Sequence, residues 1–259
     1  VEDFPPAAVV AGRTLIGASI LIPIAIYRKK FGGAVLGFKY VAFYALMEMI
    51  GPWILITTAE QKINSGLAGL LVSTVPIFAT IITSLRGDHS VWEFKRIFGI
   101  VVGFIGLILV VGIESLSGNS DPLSIAMVIV ASMGYAYAVI MVTSNLPLVD
   151  GIAINGLAMA ITSVFWAPVA IAQWPSSISM NSALSLLALG VFSTAFAFIL
   201  FFKVMAEIGP ARSSLVTYLN TAIAVLLGVI ILREPLTIGI IVGLPLVLVG
   251  SYLASRKTA

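Results

Sequence analysis

The sequence predicts an all-α integral membrane protein of about nine transmembrane helices, built from an inverted five-plus-five helix repeat. Three observations carry that expectation. First, 60% of the 259 residues are hydrophobic and 10% are charged, with a mean hydropathy of +1.13, whereas soluble domains carry about 25% charge. So little charge cannot coat a water-facing surface. Second, the apolar residues form continuous runs rather than alternating stretches, which favours helices over a β-barrel. Third, the runs recur with related sequences of opposite loop charge.

A helix needs about 20 mainly apolar residues to cross the hydrocarbon core. By that rule the spans are 6–27, 36–57, 65–85, 93–113, 122–143, 151–173, 183–205, 212–232 and 237–255. The breaks carry turn or charge signals: "YRKKFGG", "RGDHSVWEFKR", "SGNSDP", "QWPSS", "IGPAR" and "REPL". With the C-terminus cytoplasmic, one side collects Arg28, Lys29, Lys30, Lys39, Arg86, Lys95, Arg96, Lys203, Arg212, Arg256 and Lys257. The other collects only Lys62 and Arg233. That asymmetry is a positive-inside pattern, and the net charge of +3 is a property of these loops rather than a sign of nucleic-acid binding. Residue 1 then lies outside, and "VEDFPPAAVV" lacks the basic start and cleavage site of a signal peptide. The expectation is that a leading helix is missing ahead of Val1.

The repeat is visible in "VPIFATIITSLRGD" (Val75 to Asp88) and "NTAIAVLLGVIILRE" (Asn220 to Glu234). The seven-residue spacing from Gly99 to Gly106 recurs from Gly243 to Gly250. Segment 58–64 lies outside while its counterpart 206–211 lies inside, and 86–92 and 233–236 are exchanged in the same way. A unit with an odd number of spans inserts upside down when duplicated, and inverted repeats are a transporter feature. The expected halves are 1–113, without its leading helix, and 114–259.

With those residues in hand, the chain resembles the drug/metabolite transporter superfamily, in its EamA-type ten-helix branch. The resemblance rests on "GVFSTAFAFILFFKVMAEIGPARSSLVTYLNTAIAVLLGVIILREPLT" (Gly190 to Thr237), with Thr194 in an aromatic-rich span, Gly209 before a small-residue helix, "TYLN", and Glu234 before Pro235. "AEQKINSGLAGLLVSTVPIFATI" and "PPAAVVAGRTLIGA" look similar to first-half helices of that family. Thr221 stands where the family usually has proline. The resemblance implies alternating-access movement of a small metabolite, usually export, across a bacterial inner membrane, with a proton as the common coupling ion. It implies no cofactor.

Glu48, in "FYALMEMIGPW", is the acidic residue near the centre of a span. A charged side chain there costs roughly 2.5–3.5 kcal/mol, and neutralising a glutamate at pH 7 costs roughly 3–4 kcal/mol. The two are similar, so paired and protonated forms both stand. Tyr40, Tyr44 and Glu48 are four residues apart and share a helix face, as the wall of a polar cavity would. Pro52 has no amide to bond the carbonyl of residue 48. Glu48 is either a proton or substrate-amine site, as intramembrane carboxyls are by default, or a carboxyl that hydrogen-bonds a neighbouring helix or tyrosine and never changes charge.

Further candidate substrate or proton contacts are Ser73 and Thr74 beside Pro76, Ser132 with Tyr135, Thr194, and Tyr218, Asn220 and Thr221. Each is equally suited to interhelical hydrogen bonding. The phenylalanines around Thr194 read as packing or lipid-facing, Arg13 as a snorkelling or helix-end cation, and His89 as a solvated loop residue. Gly99-xxx-Gly103 permits close helix packing and makes a homodimer a candidate assembly. No cysteine is present, which excludes disulfides and thiolate sites. One intramembrane carboxyl without histidine or cysteine in the spans argues against an enzyme and against a metal site. The expected partners are a small-molecule substrate, the lipid bilayer and protons. The competing class is a non-transporting scaffold or receptor on the same fold.

Overall fold

The computed structural model describes residues 3–87, 94–116, 121–208, 215–231, 233 and 237–255. His89, Gly209, Arg212, Glu234, Pro235, Arg256 and Lys257 lie outside the described residues, as do the side chains of Lys95, Arg96, Tyr218 and Thr221. Among the described residues every expected span is mainly helical, and no strand occurs. Among the described residues, six helices are long and apolar enough to cross a membrane: Pro6–Tyr27, Phe38–Ala59, Ser65–Leu85, Pro122–Asn145, Gly151–Ala172 and Met180–Val204. Ile97–Leu109 and Ile238–Leu253 are shorter apolar helices.

In chain order the elements are α1 (Pro6–Tyr27), α2 (Phe31–Leu36), α3 (Phe38–Ala45), a π-helical segment (Leu46–Ile50) and α4 (Gly51–Ala59). Then follow α5 (Ser65–Val72), α6 (Val75–Leu85), α7 (Phe94–Leu116), α8 (Pro122–Asn145) and α9 (Gly151–Ala172). The chain continues through α10 (Met180–Gly190), a second π-helical segment (Val191–Phe196), α11 (Ala197–Ile208), α12 (Leu215–Ile230) and α13 (Ile238–Ser255). The start signals are those that satisfy orphan amides. Asn64, Asp150 and Ser179 cap α5, α9 and α10 with side-chain oxygens, and prolines stand in the first turns of α1 and α6, where a missing N–H costs nothing.

Two compact units form, Val1–Ile54 with Met141–Ser213, and Leu55–Ile140 with Ser214–Ala259. In the first unit α1 packs along α9. Gly156 lies against Leu21 and Ile22, Gly17 against Met159, and Ser163 donates to the Ala11 carbonyl at 3.2 Å; low numbers meet high ones, so the pair is antiparallel. Phe4, Ala8, Val9, Ala11, Ala170 and Leu186 bury a small core at one end.

In the second unit α7 packs along α13, also antiparallel. A Cβ at Gly250 would come within 2.5 Å of the Gly103 Cα and 2.6 Å of the Gly99 carbonyl oxygen. The Gly99-xxx-Gly103 stripe is therefore filled by α13 of the same chain and is not a free surface for a second copy. Leu67, Leu70, Leu71, Leu107, Val128 and Val247 form the core beside it.

Candidate functional site

The span that carries Glu48 is not a straight α-helix. At Leu46–Ile50 it winds as π-helix, and the Gly51 amide reaches back to the Leu46 carbonyl, five residues away. Pro52 explains the location, because it cannot donate to the carbonyl of residue 48 and the turn relaxes around that gap. Such single-turn π segments occur often at functional sites.

Helix α9 braces this segment on both sides. Before it, the Tyr44 hydroxyl donates to Asn155 Oδ1 at 3.0 Å, while Asn155 Nδ2 donates to the Gly151 carbonyl at 2.9 Å. After it, the Trp166 indole N–H donates to the Ile50 carbonyl at 3.1 Å. Tyr44 is buried and Tyr40 half-buried. Between the braces, Glu48 Oε2 is sealed from solvent and has no hydrogen-bond partner among the described residues. A carboxylate oxygen in that condition is costly, and a site that binds a proton or a cation is one way such a group persists.

The second π segment holds Thr194, which is fully buried. Its hydroxyl donates to the Leu189 carbonyl at 2.9 Å, five residues back. The same oxygen accepts from Arg13 Nε at 3.2 Å and Nη2 at 3.1 Å. The Arg13 guanidinium lies 4.0 Å over the Trp53 ring, within the range of a cation–π contact. Arg13 thus ties α1 to α4 and to the second π segment. Glycines let the helices come this close: Gly190 sits against Ile16, and Gly12 against Leu186.

The other candidates sit in the second unit. The helical span 65–85 breaks at Ser73 and Thr74, where α5 ends and α6 begins. Their hydroxyls donate to the Leu70 and Leu71 carbonyls, each at 2.6 Å. Ser132 donates to the Val128 carbonyl at 2.9 Å and the Leu71 carbonyl at 3.2 Å, and Ser251 donates to the Ser73 carbonyl at 2.8 Å. Ser73, Thr74 and Ser132 are buried, so their donors serve backbone carbonyls in this conformation. Tyr135 is half-buried, and Asn220 is exposed on α12.

Sequence reasoning missed Arg13, Trp53, Asn155 and Trp166 as parts of one framework. A partial signal existed: each is a polar-tipped side chain within an apolar run. What pairs them is tertiary.

Several membrane-crossing helices among the described residues, with irregular backbone within two spans and an unpartnered carboxyl oxygen at one of them, describe a multi-pass membrane protein, and the comparisons with known proteins identify it as a transporter. The EamA-like transporter family matches residues 1–112 and 122–256, and the chain belongs to that family. It is 27% identical over 262 residues to an uncharacterized transporter, YoaV, of Bacillus subtilis, covering 98% of this chain and 88% of the relative. It is 26% identical to an uncharacterized inner membrane transporter, YedA, of Escherichia coli K12, covering 99% and 86%. A solved crystal structure superposes with a TM-score of 0.65 at 16% identity, covering 97% of this chain and 88% of that one; this likeness concerns the fold alone.

Proposed function

We propose that this chain exports a small metabolite, an amino acid or a related or drug-like solute, across a bacterial inner membrane by alternating access, coupled to protons through Glu48. The observation that carries the reading is the sealed, unpartnered Glu48 Oε2 within a π-helical segment. Irregular backbone at membrane depth is tolerated where it is buried in protein or lines a cavity. A proton needs a single lone pair, and among the described residues no cluster of three His, Cys, Asp or Glu is available to hold a multivalent ion.

The inverted five-plus-five repeat, with halves 1–113 and 114–259, is part of the same proposal. The family match in two blocks, 1–112 and 122–256, supports it. So do α1 and α9: both have 22 residues, both carry a proline at the eighteenth position (Pro23 and Pro168), and they run antiparallel. The π segments follow the same exchange, the first packing on α9 and the second on α1. The proposed orientation puts the C-terminus in the cytoplasm, from the loop charges.

The test begins with a metabolite comparison of cells with and without the full-length chain, followed by flux of the identified solute in proteoliposomes under an imposed pH gradient. Gradient-dependent flux is expected. A non-transporting scaffold would move no solute under any gradient, and that result would refute the proposal.

A further inference from the structure

One end of the first unit carries a basic surface bordered by exposed apolar side chains. Helix α1 ends in a motif where the Lys30 amide bonds the Ala25 carbonyl at 2.9 Å and the Lys29 amide bonds the Ile26 carbonyl at 2.8 Å. That pattern needs a left-handed residue just past the helix, a position usually held by glycine. Here Lys29 occupies it, with φ of 56°. A side chain is kept where glycine would fit without steric conflict.

Arg28, Lys29, Lys30 and Lys39 are all exposed and form no ion pair among the described residues. Lys39 lies over the Tyr40 ring at 4.7 Å. Asp150 accepts from the Ile152 and Ala153 amides at the start of α9 and forms no ion pair with these cations among the described residues. The short helix α2 follows and rests through Gly33 on Val149, while Gly37 rests on Leu146. Around the cations stand large apolar side chains with little cover: Tyr27 at 90% exposure, Leu36 at 92% and Leu148 at 97%, with Val35 and Phe38 also exposed.

Cations beside bare apolar side chains, at the end of a membrane-crossing helix, match the two halves of a lipid molecule. We propose that this platform binds an anionic phospholipid, its phosphate held by Arg28, Lys29, Lys30 and Lys39 and its upper acyl chain laid against Leu36, Phe38 and Leu148. Charge complementarity chooses an anionic lipid over a zwitterionic one, and the apolar rim chooses a lipid over a soluble anion. Each basic side chain near a membrane surface strengthens such attraction about fivefold.

The experiment titrates the purified full chain with phosphatidylglycerol or phosphatidylcholine of identical acyl chains, reading retained lipid by native mass spectrometry and melting temperature in parallel. Wild type is expected to retain phosphatidylglycerol in preference. Lys29→Gly relieves the left-handed backbone, so its melting temperature in phosphatidylcholine should hold or rise while its preference falls about fivefold. Adding Arg28→Gln, Lys30→Gln and Lys39→Gln should abolish the preference, whereas Lys203→Gln, outside the platform, should leave it intact. The proposal is overturned if wild type shows no preference, if the preference survives the fourfold variant, or if Lys203→Gln weakens it as much as Lys29→Gly. Complete displacement of the lipid by inorganic phosphate at equal concentration would also overturn it, since the apolar rim would then contribute nothing.

Discussion

The two units differ in what their polar side chains leave unmatched. In the second unit, the Ser73 and Thr74 hydroxyls close the end of their own helix, Ser132 on α8 donates across to the Leu71 carbonyl of α5, and Ser251 on α13 donates to the Ser73 carbonyl. Glycines then bring α7 and α13 into backbone contact. In the first unit, polar side chains reach between helices to hold irregular backbone: Arg13 to Thr194, Tyr44 to Asn155, Trp166 to the Ile50 carbonyl. Within that framework one carboxyl oxygen is left unmatched among the described residues. The hydroxyls named in the second unit all have carbonyl partners. Braced π segments around an unmatched carboxyl oxygen make the first unit the place of the proposed proton site.

The contrast can be broken most severely at the glycine seam. Gly250→Leu drives its side chain into the Gly103 backbone, so a cost of about 3 kcal/mol is expected, or a melting-temperature drop of roughly 6–12 °C. Gly32→Ala meets no atom within 4 Å and should leave the melting temperature unchanged. Next in size is Thr194→Val, which removes the acceptor for a charged donor, at about 2 kcal/mol. Ser132→Ala should cost about 1 kcal/mol, because its carbonyl partners lie in helices. Equal losses for the two variants, measured by thermal denaturation in detergent, would erase the distinction drawn between the units. Tyr44→Phe strips the hydroxyl donor from Asn155 Oδ1 and should cost about 1 kcal/mol, with a larger fractional effect on flux than Ser132→Ala.

The smallest effect is expected at Asp3. Ser179 donates to its carboxylate from Oγ at 2.6 Å and from the backbone at 2.9 Å. These bonds, hydroxyl first, hold the Asp3 carboxyl below the usual carboxylate range. A lowered value means that the contribution is present above the ordinary aspartate range and is lost as pH falls through the folded value. Asp3→Asn should therefore melt slightly below wild type at pH 7, and the gap should close in strong acid.

Much of the fold was legible because lipid makes apolar run length decisive. The span expected at 36–57 is Phe38–Ala59, and that at 151–173 is Gly151–Ala172. The span expected at 183–205 extends over Met180–Ile208, where Ser179 supplies an earlier cap. The six-residue α2 was hidden inside the break "YRKKFGG", since basic residues and glycines read as a turn. Of the two π segments, Pro52 gave a local signal for the first. The second has no proline and depends on Thr194 bonding backward while Arg13 holds it, a pairing across 181 residues that no periodicity reveals. Glu48 stood out because a carboxyl within an apolar run is conspicuous. Asn155 and Trp166 did not, because only packing places them beside Tyr44 and Ile50.

The most direct measurement is the accumulation ratio of the transported solute in proteoliposomes containing wild type or Glu48→Gln, with and without a pH gradient. Wild type should accumulate solute against its gradient only when the pH gradient is imposed. Glu48→Gln, with an unchanged melting temperature, should let solute equilibrate but never accumulate. Accumulation by Glu48→Gln that still follows the pH gradient would contradict the role given to this carboxyl.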